Sequence, residues 1–199
     1  LYALGLLAAE TRQFDLAESY FLDLIKRKVR LADSYFELGR IEEQRGAYGK
    51  AREWYGRVKG EERYLNAQMR MGAVLAKLEN PATVAQHFEA LRRSNPQSGI
   101  SLYLAEVEAL REANRNQEAF DTLDRALALH ADDKDLLYAR ALVAERLDRI
   151  DVLERDLRAI LANDPKNAQA LNALGYTLAD RTDRHQEALG YIEQALALL

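Results

Sequence analysis

Three histidines, His87, His130 and His185, are the side chains in this sequence best suited to hold a metal or shuttle a proton. No two of them stand four residues apart, the spacing that puts a ligand pair on one helix face. The chain has no Cys, which removes thiolate metal sites, disulfides and a thiol nucleophile. Carboxylates are plentiful, but Asp132-Asp133 and Asp164 fall in turn-like stretches, where Asp is an ordinary capping residue. Serine-nucleophile elbow, phosphate loop, dinucleotide glycine fingerprint and zinc-protease helix motif are all missing. These residues predict neither catalysis, cofactor nor metal. The one basic run, Lys26-Arg27-Lys28-Val29-Arg30, closes a helical pattern, where cations complement the helix dipole.

The elements that carry these side chains follow from composition. Of 199 residues 48% are hydrophobic and 30% charged, a globular rather than a disordered balance. Ala, Leu, Glu, Arg and Gln dominate, with only 10 Gly and 3 Pro, so helices are expected and a large sheet is not. The net charge of -4 argues against nucleic acid. Residues 1–99 carry 16 basic and 13 acidic side chains, leaving 12 and 19 for the rest, so the halves are +3 and -7. No apolar run is long enough to span a bilayer. The sequence starts and stops inside helical patterns and reads as a piece of a longer protein, with any targeting signal or lipid anchor outside it.

A repeat of about 34 residues organises the whole chain. Shifted by 34, Leu4-Gly5 falls on Leu38-Gly39, Phe14 on Tyr48, Ala17 on Ala51 and Phe21 on Tyr55. A small or apolar marker recurs at Ala17, Ala51, Val84, Ala119, Leu153 and Ala188. The units are placed at 1–31, 32–64, 65–99, 100–133, 134–167 and 168–199, the first and last incomplete. Each unit predicts two amphipathic helices of about 13 residues. The turns are Arg45–Gly49, Glu79–Pro81 and Glu112–Asn116, while Asn95-Pro96 and Asp164-Pro165 mark entries to the next unit. Gly5, Gly39, Gly72 and Gly175 sit inside helices at about 1 kcal/mol each against Ala, which implies a close neighbour. The bulky residues at Phe21, Tyr55, Phe88, Leu123, Leu157 and Ile192 are expected to fill the gap to the next unit.

The Leu-Gly pair, the small residue opening the second helix, the bulky residue four on and the Pro before the next unit together resemble the tetratricopeptide repeat (TPR). The resemblance implies an all-α, right-handed superhelix of about six helix–turn–helix repeats, built for binding proteins. Two units depart from it. Glu106 and Arg140 stand where the family prefers Leu, and Val107 and Leu153 replace small residues. Glu106 and Arg140 are expected either to face solvent or to pair between units. The stretch Asn172–Thr182, followed by Glu187–Ile192, resembles LbcA-type outer-membrane TPR lipoproteins. That likeness implies a periplasmic adaptor that binds a C-terminal-processing (Ctp) protease and presents peptidoglycan hydrolases to it.

In a TPR array the first helix of each unit lines the inner wall. One inner position reads Tyr2, Phe36, Met69, Leu104, Tyr138 and Asn172. Four places on it reads Leu6, Arg40, Ala73, Glu108, Leu142 and Tyr176. The first row is an apolar ladder, flanked by Arg40, Lys77, Arg111 and Arg146, and is expected to form a partner groove unless it packs against neighbouring first helices. The Lys and Asn of a carboxylate clamp are absent, so recognition should rest on aromatic and aliphatic pockets. Two other roles stay open: a regulatory segment of a larger enzyme or polysaccharide-export protein, and self-assembly through an apolar end at Leu196, Leu198 and Leu199.

Overall fold

The computed structural model describes residues 1–198, so Leu199 of the expected apolar end lies outside the described residues. Among them the chain forms twelve α-helices and no strand, two helices to each sequence repeat. They are α1 (Tyr2–Glu10), α2 (Phe14–Lys26), α3 (Leu31–Gln44), α4 (Tyr48–Gly56), α5 (Glu61–Leu78), α6 (Pro81–Ser94) and α7 (Gly99–Glu112), followed by α8 (Asn116–Leu129), α9 (Lys134–Arg146), α10 (Ile150–Asn163), α11 (Ala168–Arg181) and α12 (His185–Leu196). The chain divides into two compact units, Leu1–Ala113 with α1 to α7 and the part from Asn114 onward with α8 to α12. The division falls between the helices of the fourth repeat.

Local chemistry sets the helix ends. Asn80 caps α6 by accepting from the Thr83 amide at 3.0 Å, with Pro81 at the first helical position. Asp133 and Asn167 cap α9 and α11 in the same way. Pro96 and Pro165 lie further from the next helix than the sequence suggests: Pro96 opens a single 3₁₀ turn before Gly99, and Pro165 stands three residues before Ala168. The helices of the second and third repeats also depart from the uniform length, with nine residues in α4 and 18 in α5. The chain leaves α4 at Gly56 to bury Val58, 1% exposed, and nothing between Glu61 and Leu78 breaks α5.

The turn inside the repeat has its own period. Arg12, Gly46, Asn114 and Asp148 stand 34 residues apart, or twice that, and all have φ between 58° and 73°. Gly and Asn adopt this left-handed conformation readily, whereas an arginine is strained there. Arg12→Gly is therefore expected to raise stability by about 0.5–1 kcal/mol, read as a higher urea midpoint.

Packing inside each hairpin adds a contact to the expectation. The bulky residue of the second helix fills the space over the glycine of its own hairpin as well as meeting the next unit, where Phe21 clusters with Leu38 and Ile41 of α3 and Tyr55 with Ala67 and Val74 of α5. A β-carbon at Gly5 would lie 2.8 Å from the Phe21 ring, and one at Gly72 would lie 2.4 Å from the Phe88 ring. Where α9 carries Ala141 instead, the opposing slot holds the smaller Leu157, and both are fully buried. Between hairpins, Leu38 and Ile41 of α3 join Ala17, Phe21 and Leu24 of α2 in one apolar cluster. Phe36, Tyr55, Val58, Ala67 and Val74 form the next.

Of the two fates expected for Glu106 and Arg140, the structure takes pairing. Glu106 is 1% exposed and accepts from Arg92 of the preceding repeat at 2.7 Å. Arg140 grips Asp156, 1% exposed, through Nε and Nη2 at 2.7 and 2.9 Å, and reaches Asp124 of the preceding repeat at 2.7 Å through Nη1. Other ion pairs follow the repeat period: Arg45 meets Glu18, Arg63 meets Asp33, Arg70 meets Glu43 and Arg184 meets Glu154, each 27 or 30 residues apart.

Candidate functional site: a first-helix groove

In the first unit the helices α1, α3, α5 and α7 bring their polar faces together in two adjoining clefts. The smaller, about 80 Å³, lies between α1 and α3 and is lined by Leu6, Ala9, Glu10, Glu37, Arg40, Ile41 and Gln44. The larger, about 370 Å³, spans α3, α5 and the end of α7, with Glu43, Gln44, Tyr48, Arg70, Ala73, Lys77 and Glu112 around it. Gln44 borders both. The floor is apolar, with Ile41 1% and Ala73 8% exposed, and the rim is charged.

The charged side chains are held in place by specific partners. Arg70 forks onto Glu43 at 2.9 and 2.7 Å. The buried Tyr55 hydroxyl also donates to Glu43, and burial raises its pKa, so it stays protonated as a donor. Lys77 donates to the backbone carbonyl of Glu112. Glu37 is 4% exposed and accepts from Arg40 Nη1 at 3.1 Å. Burial pushes the Glu37 carboxyl above its ordinary value, against the pull of Arg40 and Arg63. A carboxyl held above its unfolded value binds its proton more tightly in the folded state. Its contribution is therefore favourable at acid pH and is lost as pH rises through the raised value. Glu37→Gln is expected to stabilise the chain more near pH 7 than near pH 4, which urea unfolding at the two pH values reads directly.

The twelve residues expected to line a partner groove take different places. Leu6 and Arg40 border the smaller cleft and Lys77 the larger. Phe36 is 8% exposed, packs against Tyr55 of its own hairpin with ring centroids 5.8 Å apart, and shares a cluster with Ala67 and Val74 of α5, so it belongs to the core between hairpins. Tyr2 stands edge-on to Phe21 with Arg30 over its other face. Met69 and Leu104 are half-buried, and Arg111 pairs with Glu108 at 2.6 Å. In the second unit Tyr138 borders a pocket of about 90 Å³ with Lys134, Asp135, Ile160, Asn167 and Gln169. There Leu142 is half-buried, while Arg146 and Tyr176 are exposed. The sequence reading missed Glu37, Glu43 and Arg70. The signal was present as the 27-residue step between Glu43 and Arg70, which matches that between Glu18 and Arg45.

The histidines have no common site. His87 is half-buried and its Nε2 donates to the Gln68 carbonyl at 2.8 Å, while burial lowers its pKa. His130 and His185 are exposed. Among the described residues no three His, Asp or Glu side chains gather where a metal could sit, and no helix is long and apolar enough to cross a membrane.

Residues 2–66 and 154–198 match the family model described as tetratricopeptide repeat, more than half of the chain. The chain belongs to the tetratricopeptide repeat family. As a TPR chain it is similar to the TPR repeat-containing protein PA4667 of Pseudomonas aeruginosa, with 38% identity over 162 residues. That stretch is 81% of this TPR chain but 28% of the relative, so the chain spans little more than a quarter of the protein it matches. Among solved structures it is similar to a crystal structure of MamA, with TM-score 0.55, 19% identity and coverage of 81% of this chain and 94% of that one. It is also similar to MamA 41-end from Desulfovibrio magneticus RS-1, with TM-score 0.54, 16% identity and coverage of 85% and 95%. These likenesses establish the TPR fold.

Proposed function

We propose that this TPR segment is a non-catalytic adaptor in the periplasm, part of a larger protein anchored to the outer membrane, which binds a Ctp-type protease and presents peptidoglycan hydrolases to it. The observation that carries the binding role is the pair of clefts joined at Gln44, where an apolar floor lies under a rim of fixed charges. Such a surface suits a protein segment, since aliphatic contacts supply affinity and the rim supplies register. The periplasmic assignment, the lipid anchor and the protease rest on the LbcA-type resemblance of Asn172–Thr182 and Glu187–Ile192. The 38% identity to a TPR repeat-containing protein supports the reading of this segment as a TPR binding module.

The test is capture from a bacterial envelope extract on the immobilised chain, with bound proteins identified by mass spectrometry. A Ctp-type protease and cell-wall hydrolases are expected, with no hydrolysis by the chain alone. Capture of cytosolic proteins only would overturn the periplasmic role. Tyr138→Ala and Lys77→Glu are expected to weaken capture by about tenfold or less each. Phe36→Ala is a poor probe of binding, because it opens the core between hairpins.

The regulatory alternative draws on one observation, the relative's greater length. A catalytic or export domain in the same polypeptide would favour it over the adaptor.

A further inference from the structure

We infer that the cleft between α1 and α3 is a receptor for a single lysine side chain of a protein partner. The inference rests on the binding role proposed for this face. The cleft is too small for a cofactor or substrate, at about 80 Å³ against the roughly 300–1,000 Å³ of ligand sites. It is the size of one side-chain end. Leu6, Ala9 and Ile41 give apolar walls for an aliphatic stem. Glu10 and Glu37 border the same space, and Arg40 is the one cation there. Arg40 bonds to Glu37 at 3.1 Å, but among the described residues Glu10 has no ion-pair partner. The lining therefore keeps one uncompensated negative charge beside an apolar slot.

Lysine fits better than arginine. One Glu37 oxygen is already taken by Arg40, so the buried carboxylate of the cleft offers no free pair of oxygens to a guanidinium fork. A compact ammonium needs no such fork, and its unbranched stem suits a narrow slot. Burial also leaves the Glu37 carboxyl above its ordinary value, so a second cation nearby would be welcome there.

The probe is N-acetyl-lysine methylamide, added to the full chain carrying labelled Leu, Ile and Ala methyl groups and followed by NMR. N-acetyl-norleucine methylamide and N-acetyl-arginine methylamide are the controls. The lysine compound is expected to shift the Leu6 and Ile41 methyls saturably and more tightly than either control. Glu10→Gln, at an exposed position that folding does not need, is expected to weaken it several-fold. Glu10→Gln with Glu37→Gln should weaken it by about tenfold or more. Arg40→Met removes the resident cation and is expected to tighten it. Equal shifts from norleucine, equal binding of arginine, or indifference to both Glu10→Gln and Arg40→Met would overturn the inference. Envelope capture that succeeds while the lysine probe fails removes this inference alone. A bound probe with no captured partner removes the adaptor role alone.

Discussion

Arg140→Met is expected to destabilise the second unit by about 3 kcal/mol, because it strands a buried carboxylate. Asp156 is 1% exposed, and Arg140 supplies both of its shortest bonds. The remaining cation, Arg155, touches one oxygen at 3.1 Å from a side chain 60% exposed, too solvated to replace the lost partner. Asp124 is half in water and loses little. Urea unfolding followed by circular dichroism reads the loss. Arg140→Leu combined with Asp156→Leu is expected to recover most of it, since an apolar pair often equals a buried ion pair. A single variant as stable as the parent would mean that Asp156 is solvated in the folded chain.

Gly39→Leu is expected to cost the first unit about 3 kcal/mol, the upper end of overpacking. Even a β-carbon at Gly39 would lie 2.5 Å from the Tyr55 ring. That ring cannot swing aside, because its hydroxyl is bonded to Glu43, which Arg70 also grips. The single Trp of the chain, Trp54, stacks on Tyr35 at 6.0 Å across the same hairpin, so its fluorescence follows this unfolding. A milder test swaps the shapes: Gly39→Ala with Tyr55→Leu copies the Ala141 and Leu157 slots, and should be more stable than Gly39→Ala alone. Failure of that rescue would mean that Tyr55 is retained for its bond to Glu43 rather than for filling the glycine's place.

Phe36 and Glu37 show how far the sequence reaches into the candidate site. The 34-residue step places both on α3, and the row through Tyr2 and Phe36 is legible as an apolar ladder. Whether a ladder residue faces a partner or the next hairpin depends on how closely neighbouring first helices approach. That distance is set by side chains some 30 residues away, so periodicity alone does not contain it. Phe36 turned out to lie in the core between hairpins. Glu37, unremarkable as one of many acids, became a buried carboxyl beside an apolar slot.

By itself the sequence determined that the chain is helical, that its helices come in pairs, where most turns fall, and that it belongs with TPR proteins. It could do so because each of these properties depends on residues within one 34-residue period: apolar spacing, Gly and Asn stops, and the Gly and bulky slots of one hairpin. Only the tertiary structure decided which Arg meets which acid, how Glu106 and Arg140 are neutralised, and where the clefts open. Those outcomes need two or more repeats in contact, and they are governed by burial and distance between groups that no local pattern connects.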